Sequence, residues 1–112
     1  MNPSQRNNNP LNLEFANQTE SIGSDGRFAK FPDGPSGWRA AHVQIREDQN
    51  RGLTLREFAF KFAPPNENNT NAYLDFMIDQ LKSVNRDSPL RMVSVYALAG
   101  IMAQYEGYYN KD

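Results

Sequence analysis

The chain has 112 residues, a formal net charge of −1 and no cysteine. A chain of this length supports a single hydrophobic core, and the lack of cysteine excludes disulfides and thiolate catalysis. The sequence has no Lys/Arg cluster, and its longest nearly apolar run, residues 92–103, is too short to cross a bilayer, so we expect one domain over residues 1–112 with no nucleic-acid partner and no membrane span.

Residues 1–35 are rich in Asn, Gly, Pro, Ser and Asp and contain only short apolar clusters. This composition is typical of loops, so the sequence predicts an irregular lobe with a short hairpin. Apolar residues at helical spacing begin after this segment and continue almost to the end of the chain. Residues 36–107 are therefore predicted to form a helical lobe.

The first predicted helix covers residues 37–50, because Trp38, His42 and Ile45 lie on one face and Gly52 offers a stop. Thr54 and Glu57 match a capping box that starts a second helix. The paired prolines at positions 64 and 65 end this helix.

Asn69 or Thr70 can cap a third helix. Ser88, followed by Pro89 at the first helical position, predicts the start of the last helix. Almost every residue from position 90 to position 103 is apolar, so this helix is predicted to be buried on all sides with the other helices packed around it.

Glu106 follows this apolar helix directly. The negative end of the helix dipole and a nearby apolar core both favour the neutral form of a carboxyl group. A general acid must keep its proton at the working pH, so Glu106 is the candidate catalytic acid. The simpler interpretation is a solvated carboxylate held by Lys111 or Arg91.

Four stretches of the chain resemble one known family: RNNNPLNLEFANQ at 6–18, DGRFAKFPDGPSGWRA at 25–40, RGLTLREFAFKFAPPNENNTNAYL at 51–74 and the closing MAQYEG. They are similar to phage virion-associated lysins, which degrade peptidoglycan, and the resemblance covers nearly the whole chain. The chain departs from the family's usual glycine at Leu11, and from its usual residues at Glu14 and Ala16.

A looser similarity links the chain to lysozyme-like glucosaminidases and lytic transglycosylases. These enzymes end a buried helix with a catalytic glutamate and continue into an asparagine-containing loop, whereas here the loop comes first and the helix last. The resemblance implies a mainly α, small lysozyme-like domain of four to five helices around a buried C-terminal helix, circularly rearranged. The N-terminal lobe would form the opposite wall of a cleft containing Glu106.

The resemblance also implies the chemistry. Glu106 would donate a proton to the glycosidic oxygen between N-acetylmuramic acid and N-acetylglucosamine. Glu20 is the candidate second catalytic carboxylate, with Asp25 as its alternative. Without a second acid, the substrate's N-acetyl group or its 6-hydroxyl would complete the reaction, as in lytic transglycosylases, so both hydrolase and transglycosylase outcomes stay open.

Sugar-binding sites need flat apolar faces together with fixed polar groups. The candidate substrate-binding residues are Tyr105, Tyr108, Tyr109, Asn9, Asn12 and Gln18. Core packing is the alternative interpretation for Tyr105. No metal or cofactor is expected, because the lone histidine, His42, has no second histidine or cysteine near it.

The expected partners are peptidoglycan glycan strands and other virion proteins. The first residues lack the basic-then-apolar pattern of a secretory signal, so a virion-associated protein, or one released to the periplasm or cell wall, is expected. Two alternatives belong to a different functional class, because a fold does not imply an activity. They are a non-catalytic domain that binds peptidoglycan and a purely structural virion domain.

Overall fold

Helices provide most of the regular structure in the computed structural model, which describes residues 1–111. The elements are α1 (Pro3–Arg6), β1 (Gly23–Ser24), β2 (Ala29–Lys30), α2 (Gly34–Asn50), α3 (Leu55–Phe62), α4 (Thr70–Leu81), a 3-10 turn (Leu90–Met92) and α5 (Val95–Tyr105). The prediction of a small, mainly α domain is confirmed. No helix within residues 1–111 has both the length and the apolar character needed to cross a bilayer.

Local capping signals explain where α2, α3 and α4 begin. The Asp33 side chain caps α2, which starts three residues earlier than predicted and ends at Asn50 as predicted. The capping box is present at α3, where the backbone N–H of Glu57 donates to Thr54 Oγ1 at 3.1 Å and that of Thr54 donates to Glu57 Oε1 at 2.8 Å. Asn69, rather than Thr70, caps α4.

The predicted start of the last helix at Ser88 and Pro89 is wrong. Pro89 has an extended backbone and pairs with Thr54 in an antiparallel bridge. The next residue donates its N–H to the carbonyl oxygen of Leu53 at 2.8 Å. Proline fixes φ at a value that suits both a helix start and an extended segment, and here tertiary pairing selects the extended form. Helix α5 starts only after Ser94, whose side chain caps it.

The predicted burial of the last helix on all sides is also wrong. Helix α5 packs against α2 and α4 through Leu98, Ala99, Met102 and Ala103. Its other side is open, and Tyr96 is 66% exposed. Two neighbouring helices cannot cover the whole circumference of a third, so an apolar composition alone overstated the burial.

The N-terminal lobe contains the predicted hairpin. Strands β1 and β2 pair antiparallel, with Gly23 opposite Lys30 and Ser24 opposite Ala29. Helix α1 was not predicted, although Asn2 and Gln5 form a capping box around it. Apolar side chains of the lobe are buried in the same core as those of the helices, so the lobe and the helices share one hydrophobic core.

Gly37 is the point where α2 and the lobe touch most closely. A Cβ atom at this position would lie 1.9 Å from the carbonyl oxygen of Asn8, which is a backbone atom that a rotamer change cannot move. Gly100 in α5 offers a contrast, because a Cβ there would have no neighbour within 4 Å. Only the first glycine is required by packing.

We expect Gly37→Ala to lower the free energy of unfolding by about 2 kcal/mol or more, because the new methyl group forces the lobe away from α2. The matched variant Gly100→Ala should instead raise it by about 0.5 to 1 kcal/mol, since alanine favours a helix. Urea unfolding followed by circular dichroism measures both. Equal effects of the two substitutions would contradict the packing argument.

Candidate active site

The end of α5 determines where the Glu106 carboxyl group lies. Gly107 adopts φ 88°, a conformation that favours glycine, and its N–H donates to the carbonyl oxygen of Gln104 at 3.2 Å. The N–H of Tyr108 donates to the carbonyl oxygen of Ala103 at 3.0 Å. These two bonds form a Schellman motif, which ends the helix sharply with Glu106 as its C-cap residue.

The N-terminal residues bind this helix end. Asn2 Nδ2 donates to the carbonyl oxygen of Gly107 at 2.7 Å. Gln5 Nε2 donates to the carbonyl oxygen of Tyr108 at 3.2 Å, and Ser4 Oγ lies 3.4 Å from that of Glu106. These contacts hold the first residues of the chain against the end of α5.

Asn12 brings the lobe into contact with the proposed acid itself. Its Nδ2 donates to Glu106 Oε1 at 2.9 Å. The Asn12 backbone has φ 52°, in the left-handed region that asparagine tolerates better than most residues. Its Oδ1 is buried without a hydrogen-bond partner among residues 1–111. Asn12 thus holds one carboxyl oxygen of Glu106 and keeps a free acceptor beside it.

Asn9 has a different role from the one predicted for it. Its side chain is fully buried, and its Nδ2 donates to the carbonyl oxygens of Leu13 and Ala29, both at 2.9 Å. Its Oδ1 accepts the N–H of Leu13 at 2.9 Å. With its amide satisfied inside the lobe, Asn9 shapes the loop that carries Asn12 and does not reach the surface.

The pKa of Glu106 is raised above its ordinary value, chiefly because the carboxyl group is buried. Hydrogen bonds from Asn12 and Tyr73, and the positive charge of Arg27, act in the opposite direction without cancelling the effect of burial. The neutral form of the carboxyl group thus persists to higher pH than in a solvated glutamate.

Glu106 faces a cleft of about 540 Å³ between the lobe and the segment joining α3 to α4. Helix α2 contributes Gln44, and the last turn of α3 contributes Lys61. The other lining residues are Leu11, Asn12, Leu13, Glu14, Ala16, Gln18, Arg27, Phe28, Phe62, Ala63, Pro64, Asn66, Glu67 and Asn68. The predicted residues Glu106, Asn12 and Gln18 therefore share one cleft.

Two sets of ion pairs fix the charged groups of this cleft. Arg27 joins the lobe to the facing segment, with Nε 3.1 Å from Glu14 Oε1 and Nη2 3.1 Å from Glu67 Oε2. Asp48, only 1% exposed, lies 3.0 Å from Lys61 Nζ and accepts the Gln44 amide at 3.2 Å. The Asp48 carboxylate thus anchors two side chains that line the cleft.

A second cleft of about 490 Å³ adjoins the first, sharing Ala16, Gln18 and Gln44 with it. Glu20 lines this second cleft and accepts two hydrogen bonds of 2.7 Å from Arg39. The hydrogen bond from Arg39 lowers the pKa of Glu20. Glu20 is therefore ionised beside the cleft that adjoins that of Glu106.

Asp25, the alternative second acid, lines neither cleft. It accepts the backbone N–H groups of Arg27 and Phe28 and the Asn7 amide, and these bonds lower its pKa to about 2. Its carboxylate stabilises the turn between β1 and β2, which is a structural role.

The three tyrosines around Glu106 line neither cleft. Tyr105 stacks on Tyr73 with ring centroids 4.0 Å apart. Tyr108 packs edge-on against Trp38 at 5.5 Å, and Tyr109 lies beside it on the surface, 58% exposed. The structure thus separates these rings from the amides of Asn12 and Gln18.

Sequence reasoning missed several residues of the site. Tyr73 looked like a core residue of α4, and its hydroxyl contact with Glu106 depends on how α4 packs against α5. Arg27 and Lys61 had no motif of their own. Both lie inside the family-like stretches, Arg27 in 25–40 and Lys61 in 51–74, but nothing in those stretches singled them out.

No model of a known protein family matches the sequence, and no curated protein matches it significantly. Within the described part of the chain, no group of three or more His, Cys, Asp or Glu side chains could hold a metal ion. The chemistry that this arrangement could support is proton transfer by Glu106, with Asn12 holding the carboxyl group.

We expect Asn12→Gly to raise the pKa of Glu106 further, because it removes a hydrogen bond that favours the charged carboxylate while glycine tolerates φ 52°. A pH titration of ¹³C-labelled glutamate side chains by NMR measures this, with the Glu106 signal assigned from Glu106→Gln. Asn66→Ala, in the same cleft, should leave the pKa unchanged. An unchanged or lower pKa in Asn12→Gly would refute the role of Asn12.

The pH dependence of stability should also carry a signature of Glu106. Because burial raises the folded-state pKa of Glu106 above its ordinary value, ionisation of Glu106 lowers the free energy of unfolding as the pH rises from the unfolded-state pKa to the folded-state pKa. We expect Glu106→Gln to raise the melting temperature at pH 7, with the gain vanishing below about pH 4, where the wild-type carboxyl is neutral.

Calorimetry across this pH range tests the expectation. Glu57→Gln is the matched control, since glutamine also serves at this position of a capping box and Glu57 lines neither cleft. A stabilisation at pH 7 in the control but not in Glu106→Gln would contradict it.

Proposed function

We propose that this chain is a lysozyme-like domain that cleaves peptidoglycan glycan strands, with Glu106 as the general acid. The observation that carries the proposal is the partly buried Glu106 carboxyl, which has a raised pKa, faces a cleft and is held by Asn12 from the opposite lobe. The resemblance of four stretches to phage virion-associated lysins supports the same substrate class and a virion-associated location. The circular rearrangement is part of this proposal.

In the proposed reaction, the Asn12 amide holds Oε1 of Glu106, so the proton is carried by Oε2 and passes to the glycosidic oxygen. The bond to the sugar then breaks while positive charge develops on the ring. The buried position of Glu106 keeps its proton in place until the substrate arrives.

Three carboxylates are candidates for the second half of the reaction. Glu14 and Glu67 line the cleft of Glu106, and both are bound by Arg27. Glu20 lies in the adjoining cleft and is bound by Arg39. An ionised carboxylate can activate a water molecule or stabilise the sugar cation. Glu20 stays our candidate for this role, because the hydrogen bond from Arg39 lowers its pKa and so favours the ionised form. If none of the three is required, the 6-hydroxyl of muramic acid completes the reaction.

The two adjoining clefts give the site an elongated shape, which suits a glycan strand. Gln18 and Gln44 line both clefts. The Gln18 amide donates to the Glu14 carbonyl oxygen and accepts the Ala16 N–H, and the Gln44 amide donates to Asp48, which leaves one amide hydrogen on each side chain for hydroxyl and N-acetyl groups of the sugars. Arg27 and Lys61 also line the cleft, where their charges are paired with Glu14, Glu67 and Asp48.

We expect Glu106→Gln to reduce the release of muropeptides from purified peptidoglycan by about 10²- to 10⁴-fold, because the amide keeps the shape but carries no transferable proton. Mass spectrometry of the products measures the release. Glu57→Gln, outside the clefts, should retain full activity. Undiminished activity in Glu106→Gln would end the proposal.

The same products distinguish the two reaction types. A transglycosylase releases 1,6-anhydro ends, which lack the mass of one water molecule, whereas a hydrolase releases reducing ends. In a hydrolase we expect one of Glu20→Gln, Glu14→Gln and Glu67→Gln to lose activity as Glu106→Gln does. Binding of the wild-type chain to peptidoglycan without release of muropeptides would instead support a non-catalytic binding domain.

A further inference from the structure

Four rings form a continuous row on the outside of the molecule, which we call the aromatic row: Tyr109, Trp38, His42 and Tyr96. Successive ring centroids lie 6.4 Å, 6.1 Å and 4.7 Å apart. Trp38 and His42 are half-buried, while the tyrosines at the two ends are exposed. The row joins the residues after α5, the outer face of α2 and the start of α5.

The aromatic row lies away from the clefts. Trp38 and His42 are four residues apart on one face of α2, whereas Gln44, which lines both clefts, is two residues beyond His42. Because a helix turns by about 100° per residue, Gln44 points roughly 160° away from His42. No member of the row lines either cleft.

The polar groups along the row are fixed. Arg46 continues the same face of α2, and its Nη2 donates to the Tyr96 hydroxyl at 3.0 Å with the guanidinium 5.5 Å from the centre of the ring. Burial and the charge of Arg46 lower the pKa of His42, which favours its neutral imidazole. The row therefore offers partly exposed rings, their hydrogen-bonding edges and one cation, which lies over the Tyr96 ring at its end.

This combination matches a pyranose polymer that carries negative charges. Sugar rings present apolar faces that pack on aromatic rings, while their hydroxyls need donors and acceptors at the ring edges. Arg46 makes no ion pair within residues 1–111, so its positive charge is available to the carboxylates of muramic acid and its peptides.

We propose that the aromatic row is a second binding site for peptidoglycan, which holds a glycan strand outside the cleft. This inference takes its class of ligand, peptidoglycan, from the proposed function, and it does not require that the chain cleaves that ligand. The row would increase binding to the polymer, whereas a short oligosaccharide that fills only the cleft would gain nothing from it.

The test uses the full chain with Glu106→Gln, so that peptidoglycan is bound but not cleaved. Tyr96→Leu in this background removes a ring and keeps an apolar side chain, and Tyr96→Phe is the matched control that keeps the ring. We expect Tyr96→Leu to weaken binding to insoluble peptidoglycan about five- to tenfold in a sedimentation assay, and Tyr96→Phe to stay within about twofold. Arg46→Gln should weaken binding too, with a smaller dependence on salt.

A second measurement separates this inference from the proposed function. With Glu106 intact, Tyr96→Leu should cleave a short soluble muropeptide at the wild-type rate, and its melting temperature should be unchanged. Equal binding by the leucine and phenylalanine variants overturns the inference, as does a matching loss in short-substrate cleavage. If the wild-type chain binds peptidoglycan but does not cleave it, the proposed function fails. The inference is then decided only by how much more weakly Tyr96→Leu binds peptidoglycan than Tyr96→Phe does. Unchanged peptidoglycan binding together with lost self-association in Tyr96→Leu would make the row an interface between copies of this chain.

Discussion

The attachment of the N-terminal segment to the end of α5 is the constraint on which the candidate site depends. A helix ends with carbonyl groups that lack intrahelical partners. Here the side chains of Asn2 and Gln5 donate to carbonyl oxygens just beyond that end, more than 100 residues away in sequence. The same contact sets the loop carrying Asn12 against Glu106. The hydrogen bonds that hold the N-terminal segment at the end of α5 therefore also bring the two sides of the cleft together.

The sequence predicted those parts of the fold that depend on local signals. The capping box at Thr54 and the end of α2 at Asn50 involve residues within a few positions of each other. The start of α5 was wrong because Pro89 fits both an extended and a helical backbone, and its pairing with Thr54 is a tertiary contact. The predicted burial of α5 on all sides was wrong for a similar reason, because the composition of a helix does not reveal how many other helices pack against it.

The candidate site likewise has features that depend on neighbouring residues in the sequence and features that depend on tertiary contacts. The unusual position of Glu106 was visible in the sequence, because its causes are an adjacent helix end and an adjacent apolar run. The groups that moderate its pKa are Asn12, Tyr73 and Arg27, which come from three separate segments. Of these only Asn12 was predicted, as a sugar-binding amide. Tyr108 and Tyr109 lie away from the cleft because the helix ends at Gly107, whereas Tyr105 lies within α5 and stacks on Tyr73.

Helix α2 relates the cleft to the aromatic row. It is a single helix of 17 residues, with Gln44 on the side of the clefts and Trp38 and His42 on the other side. Since a helix is rigid over this length, the two surfaces keep a fixed relative orientation and face in nearly opposite directions. One straight strand cannot lie on both surfaces. Peptidoglycan, however, is cross-linked and presents neighbouring strands. Under the proposed function, the aromatic row would hold one strand while the cleft receives another. The two sites would then raise each other's occupancy without any conformational change.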